Sequence, residues 1–396
     1  MDIKFSDRAN GLKASAIREL LKLTEMPEVI SFAGGLPAPE LFPVEKVKEI
    51  FAEVMKKEGT SALQYGPTEG YRPLREIVAK QRMSTAQMDL TADDILITTG
   101  SQQGLEFSAK LFLNKGDAVI CESPSYLGAI NAFAAYEPKF VEVEMDEDGI
   151  IISELEKALK ENPDAKMIYT IPDFQNPTGK TMPDDRRKRI AELAAEYKIP
   201  VIEDNPYGEL IFEGTVHPAI KSYDKEGWVV FLGTFSKIFA PGMRLGWVCA
   251  SPKILDKYII IKQGADLQSS SLDQRIAAAF MQKYDLNDHI SKIREVYGKR
   301  RDLMLECMDK YFPAEVKHTN PYGGLFAWVE LRDDLDAAKI MEECIKENVA
   351  YVPGEPFFPT SGRKNFFRVN YSCMPDDKII EGVKRIGKVL NKYYEK

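Results

Sequence analysis

Thr234-Phe235-Ser236-Lys237-Ile238-Phe239-Ala240-Pro241-Gly242-Met243-Arg244-Leu245-Gly246-Trp247 follows the apolar run Val229 to Leu232, with only Gly233 between. Such a run reads as a strand buried on both faces. A lysine just past it, hemmed by the small hydroxyl residues Thr234 and Ser236, is placed to meet a bound aldehyde. Lysine chemistry near neutral pH needs a lowered amine pKa or an imine already made. Further along, Gly242 and Gly246 allow a tight turn around Arg244, whose guanidinium can fork onto a phosphate. Singly, a loop lysine is most often a solvated charge and an arginine most often a surface ion pair. The combined string S-K-x-x-x-P-G-x-R-x-G-W is far more specific than either.

Working outward, short apolar runs recur at Ile95–Thr98, Ala118–Cys121, Lys166–Thr170, Val201–Asp204, Trp228–Leu232 and Leu245–Cys249, bounded by Gly, Pro, Asn or Asp. Amphipathic helices fall between them. The clearest runs from Pro183 to Tyr197: Pro183, Asp184 and Asp185 suit a helix start, Ile190, Leu193, Ala194 and Tyr197 share a face, and Pro200 stops it. This alternation predicts an α/β domain with a mostly parallel sheet. The last third changes character. Strands are expected at Leu325–Val329 and Phe366–Tyr371, and helices at Ala337–Ile345 and Asp376–Leu390, as in a smaller α+β domain. The expected division is 1–45 as an N-terminal arm packing on the small domain, 46–285 as the large domain and 286–396 as the small one.

Four further loops follow predicted strands. Gly100-Ser101-Gln102-Gln103-Gly104 opens a helix, whose free N–H groups and positive dipole end suit a phosphate held by Ser101 and the Gln102 amide. A plain strand–helix turn reads the same way. Ser123-Pro124-Ser125-Tyr126 offers an aromatic face for stacking, or for core packing. Pro172-Asp173-Phe174-Gln175-Asn176-Pro177-Thr178-Gly179 is a rigid turn. Val201-Ile202-Glu203-Asp204-Asn205-Pro206-Tyr207 leaves Asp204 at the end of an apolar strand, a costly place for a carboxylate unless it has a cationic partner or caps a turn. In Phe366-Phe367-Arg368-Val369, alternation sets Arg368 on the face opposite Phe367 and Val369, where it is either an edge charge or a fork for a carboxylate.

In this order the strings resemble the class I/II aminotransferases of pyridoxal 5′-phosphate (PLP) fold type I, over nearly the whole chain. The resemblance implies PLP as cofactor, bound as an imine to Lys237. It implies a phosphate cup from Ser101, Gln102, Thr234, Ser236 and Arg244, with Tyr126 stacked on the ring. Asn176 and Tyr207 would meet the phenolic oxygen, Asp204 would keep the pyridine nitrogen charged, and Arg368 would hold the substrate carboxylate. Ile30-Ser31-Phe32-Ala33-Gly34-Gly35-Leu36-Pro37 and Leu63-Gln64-Tyr65-Gly66-Pro67-Thr68-Glu69-Gly70 are similar to the 2-aminoadipate/kynurenine and aromatic branch. There Gly35 borders the substrate and Tyr65 reaches the phosphate of a partner subunit, so a homodimer is expected. Ala16-Ile17-Arg18-Glu19 matches a helix whose Arg18 can meet a distal substrate carboxylate.

The activity so implied is transfer of an amino group from an L-amino acid to a 2-oxo acid such as 2-oxoglutarate, with ping-pong kinetics. A β-lyase, racemase or decarboxylase would share the carbanion. The effector-sensing half of GntR-type regulators would share the fold, but no basic head is expected ahead of Gly34.

Composition narrows the rest. With 53 Lys+Arg against 61 Asp+Glu the net charge is −8, which disfavours nucleic acid as a partner. Cys121, Cys249, Cys307, Cys344 and Cys373 are scattered and only three histidines occur, so neither a metal site nor a disulfide framework is expected. No secretory signal and no membrane span is legible, and a cytoplasmic location is expected.

Overall fold

The computed structural model describes residues 3–6, 8, 9 and 28–395. Its centre is an eight-stranded sheet. The strands are β2 (Ile95–Thr98), β3 (Ala118–Ser123), β4 (Lys139–Asp146), β5 (Gly149–Ile150), β6 (Met167–Thr170), β7 (Val201–Asn205), β8 (Val229–Thr234) and β9 (Gly246–Cys249), in the order β2-β9-β8-β7-β6-β3-β4-β5. The run β8-β7-β6-β3-β4 is parallel, while β9 is antiparallel to both of its neighbours and β5 antiparallel to β4. The central strands are buried on both faces because helices cover each side, which is why they read as unbroken apolar runs rather than alternations. Their expected limits agree to within two residues. Lys166, Trp228 and Leu245 lie just outside the ladders, while β3 and β8 run on to Ser123 and Thr234.

The helix Asp184–Tyr197 starts behind Pro183 as its pattern predicts and ends at Lys198, which turns left-handed at φ +52°. Its inner face buries Ile190, Leu193 and Ala194 against Ile168, Val201 and Val229. Each fully buried Leu or Ile there contributes about 2 kcal/mol.

The smaller domain holds a second, antiparallel sheet in the order β10 (Lys317–His318), β11 (Phe326–Glu330), β14 (Phe366–Asn370) and β13 (Val352–Pro353). The helices Ala337–Lys346 and Asp376–Tyr394 pack on it, and Phe367, Val369, Ile379 and Val383 share its core. The N-terminal strand β1 (Ile30–Ser31) pairs in parallel with β12 (Val349–Ala350), so Ile30 and Phe32 join that same core. The helix Leu286–Tyr311 ties the two cores together. Its first half, with Leu286, Ile290 and Tyr297, packs in the large one, and Met304 and Met308 pack in the small one.

The five cysteines are free, four of them buried. Among the described residues no cluster could hold a metal ion, and no helix is long and apolar enough to cross a membrane.

Candidate active site

The large sheet delivers its loops to one place. β2, β3, β6, β7 and β8 all point their carboxyl ends toward the same edge, and β9, antiparallel to them, begins there. In open α/β sheets ligands sit at that edge. Gly35, Ser101, Gln102, Tyr126, Asn176, Asp204, Tyr207, Thr234, Ser236, Lys237, Arg244 and Arg368 line one cavity of about 440 Å³ there. Tyr65 lies elsewhere and is exposed. Arg18 is outside the described residues.

The cup at one end is made by backbone. Gly100 takes φ +78°, and a Cβ there would lie 2.7 Å from Arg244 Nη2. A Cβ on Gly246 would meet the backbone of Gly100 and Ser101 at 2.7 and 2.8 Å. Both glycines therefore let β9 and the start of the helix Ser101–Phe112 approach closely, leaving the helix N–H groups and the exposed Arg244 around an anion-sized space. Thr234 Oγ1 donates to Ser236 Oγ at 3.0 Å, which orders the hydroxyls before Lys237.

Lys237 Nζ donates to the Gly35 carbonyl at 2.8 Å. Loss of hydration, then the positive Arg368 and Arg244, lower its pKa to about 8. A reactive neutral amine is thus accessible near physiological pH. On β7, Asp204 is fully buried. Tyr169 donates to its Oδ2 at 3.0 Å, and Oδ1 has no partner. Burial raises the Asp204 pKa to about 7, against the lowering effect of Tyr169. An unpartnered buried carboxylate oxygen on a cavity wall calls for a cationic donor on a ligand. The neighbouring Glu203 is also buried, but the N–H groups of Ile220 and Lys221 saturate it at 2.8 and 2.9 Å. Turn capping therefore belongs to Glu203, and Asp204 is left for the cavity.

Asn176 is the hub of the other end. Its Nδ2 donates to Tyr207 Oη at 3.2 Å and its Oδ1 accepts from Arg368 Nη1 at 2.8 Å. Arg368 Nη2 donates to the Ala33 carbonyl at 2.8 Å. Arg368 is no edge charge, because β14 lies between β11 and β13 and the residue is buried. Its guanidinium sits over the Phe326 ring at 4.1 Å and near Phe357 at 5.3 Å. Burial lowers its pKa to about 10, so it stays cationic at neutral pH.

The cavity thus gathers three cationic side chains against one carboxylate, within a chain of net charge −8. It suits a ligand with an anionic group at the Arg244 end, a second at the Arg368 end and a protonated nitrogen opposite Asp204. A phosphorylated pyridine aldehyde with an amino acid fits that donor set. Tyr169, Phe326, Phe357 and the fully buried Glu122 were not anticipated from the sequence. Glu122 carried the same signal as Asp204, a carboxylate closing an apolar strand.

The family described as aminotransferase class I and II matches residues 28–386. The aromatic-amino-acid aminotransferase 1 of Thermococcus litoralis is 46% identical over 99% of this chain and 95% of its own. The crystal structure of the Pyrococcus horikoshii kynurenine aminotransferase, in complex with PMP and with kynurenine and its product, superposes with a TM-score of 0.94. It is 45% identical and covers 98% of this chain and 97% of that one. The α-aminoadipate aminotransferase LysN of Thermus thermophilus, complexed with N-(5′-phosphopyridoxyl)-L-leucine, has a TM-score of 0.91 and 40% identity over 99% and 98% of the two chains.

Proposed function

Since the chain belongs to the class I and II aminotransferases, we propose that its cavity is the active site of an amino-acid transaminase whose working lysine is Lys237. The protein is a PLP-dependent transaminase of fold type I that acts on amino acids and 2-oxo acids. The observation that carries the site assignment is the convergence of Lys237, Asp204, Asn176, Tyr207, Arg244 and Arg368 on one cavity from separate strands and loops.

When bound, PLP supplies an aldehyde for exchange with amines and a ring that withdraws electrons from the substrate Cα. Ser101, Gln102, Thr234, Ser236 and Arg244 would hold its phosphate, and Tyr126 would face its ring. Asp204 would keep a positive charge on the ring nitrogen through its free oxygen. Asn176 Nδ2 and Tyr207 Oη would donate toward the phenolic oxygen. Arg368 forks onto the substrate α-carboxylate, with Asn176 fixing the guanidinium plane. As a neutral amine, Lys237 Nζ would take the proton from the substrate Cα as general base, hold it and give it back as general acid.

The amino donors are aromatic amino acids, kynurenine or 2-aminoadipate, and the acceptor is a 2-oxo acid such as 2-oxoglutarate. The substrates of the relatives support this range. So do Phe326 and Phe357, whose apolar rings border Arg368. We also assign a cytoplasmic homodimer, supported by the exposed Leu63 and Tyr65, in which Tyr65 reaches the partner's phosphate. We place the division between the large and small domains at 285/286, at the start of the helix Leu286–Tyr311, whose second half enters the small domain's core.

Borohydride reduction of the holoenzyme followed by peptide mass mapping tests the assignment: a pyridoxyl group is expected on Lys237, and its absence there overturns it. Mixing single amino acids with the holoenzyme and following the cofactor absorbance then ranks the donors.

A further inference from the structure

Glu122 lies on β3, fully buried, outside the cavity lining. Its partners are all neutral donors: the Thr170 hydroxyl, the Ile171 N–H at 3.2 Å and Gln175 Nε2 at 3.0 Å. Gln175 is also fully engaged. Its Nε2 gives a second hydrogen bond to the Pro124 carbonyl at 2.8 Å, and its Oε1 accepts from Thr178 N and Oγ1 at 2.9 and 2.7 Å. This pattern fixes the amide orientation, because the opposite one would set donors against donors.

The pair joins two segments that are far apart in sequence. Pro124 belongs to the loop that ends in Tyr126, and Gln175 immediately precedes Asn176. Asn176 in turn carries Tyr207 and Arg368. We propose that Glu122, acting through Gln175, is a positioning residue that clamps the Tyr126 loop to the Asn176 loop and so sets the seat of the substrate carboxylate. This rests on the active-site assignment above. The start of the Asn176 loop is held independently, by Asp173 in a buried pair with Arg187 at 2.7 Å and a hydrogen bond from Asn205 at 2.7 Å. Loss of the clamp therefore loosens the loop without releasing it.

The substitutions E122Q and Q175M test this. E122Q sets an amide donor against Gln175 Nε2 or Ile171 N–H. Q175M keeps the volume and removes both hydrogen bonds to the Tyr126 side. In each, KM for L-phenylalanine should rise about 10-fold or more, the size expected for a mis-set buried hydrogen bond, with kcat changed less. The pH midpoint of the cofactor absorbance should also rise by about one pH unit, as Asn176 no longer stabilises the phenolate form. The double variant E122Q/Q175E reverses donor and acceptor and should recover part of both changes. Q175M decides the matter if E122Q does not fold. Wild-type KM and midpoint in a folded Q175M, or a fall in thermal stability alone, overturns the clamp. Failure of the active-site assignment looks different, because the wild-type protein itself would then carry no pyridoxyl group on Lys237.

Discussion

Replacing Asp204 with Asn should make the cofactor-free protein more stable and the enzyme nearly inactive. Asp204 is 1% exposed and its pKa stands at about 7 against an ordinary 3.8, chiefly through burial. The folded chain thus holds a proton there, between those two pH values, that the unfolded chain has released. Stability falls with pH wherever the folded state binds more protons. The cost is absent below about pH 4, grows as pH rises through the window and is complete above about pH 7. At about 1.4 kcal/mol per pH unit it reaches ~4 kcal/mol. Asn cannot ionise, and its oxygen can still accept from Tyr169. In urea unfolding of the apoproteins, D204N should exceed wild type by a few kcal/mol at pH 8, and by less than half as much at pH 5. Glu203, whose pKa burial also raises to about 7, is common to both proteins and cancels. Glu122, raised to about 7 chiefly by burial, is pushed up a little further by the Asp204 charge, so D204N relaxes it and adds to the gain in the same direction. With cofactor the order should reverse, because the ring nitrogen loses its charged partner. Leaving one member of a buried ion pair alone costs ~3–5 kcal/mol, so the half-reaction should slow by about 10²-fold or more. An apo D204N no more stable than wild type at pH 8, or a gain that does not shrink at pH 5, would refute the reasoning.

The pH dependence of reconstitution should follow Lys237. The rate of PLP uptake by the apoprotein, read by stopped-flow absorbance, should rise with pH and level off above about 8, where the amine is neutral, and not continue toward the ordinary lysine value. R368K keeps the charge but cannot fork onto both Asn176 and a carboxylate. KM for L-phenylalanine should rise by about 10–100-fold, with PLP affinity nearly unchanged in fluorescence titration. G100A forces a side chain into a left-handed backbone at φ +78° and against Arg244. The cup shifts to relieve ~1–3 kcal/mol of strain and must be pulled back to bind, so the PLP Kd should rise about 10-fold by equilibrium dialysis, with the substrate KM of the reloaded enzyme little changed.

Much of this site was legible because its parts lie on short loops, each directly after an apolar strand. Lys237 after β8, Asp204 on β7 and Asn176 after β6 each announce themselves within a few residues. What stayed hidden depends on contacts between distant segments. Glu122 reaches Gln175 across 53 residues, and nothing near either residue names the other. Phe326 and Phe357 read as ordinary core aromatics until the small domain sets them around Arg368. In the fold, β4 escaped notice because Lys139–Asp146 lies toward the edge of the sheet and is half-buried. Its alternating charges look unlike the runs beside it. The apolar run alone does not separate Asp204 from its neighbour Glu203; the structure does, because backbone N–H groups saturate Glu203.

The Arg368 bond to the Ala33 carbonyl spans 335 residues, which bears on how the enzyme is made on the ribosome. Every strand of the large sheet has been synthesised by Cys249, with Lys237 already in place. Strand β1, made far earlier, waits unpaired until Val349 and Ala350 emerge. A nascent chain stalled before Phe366 has both walls of the phosphate cup but no seat for the substrate carboxylate. The ability to capture the cofactor thus matures before the ability to recognise an amino acid, and β1, translated before the other described strands, is among the last to find its place.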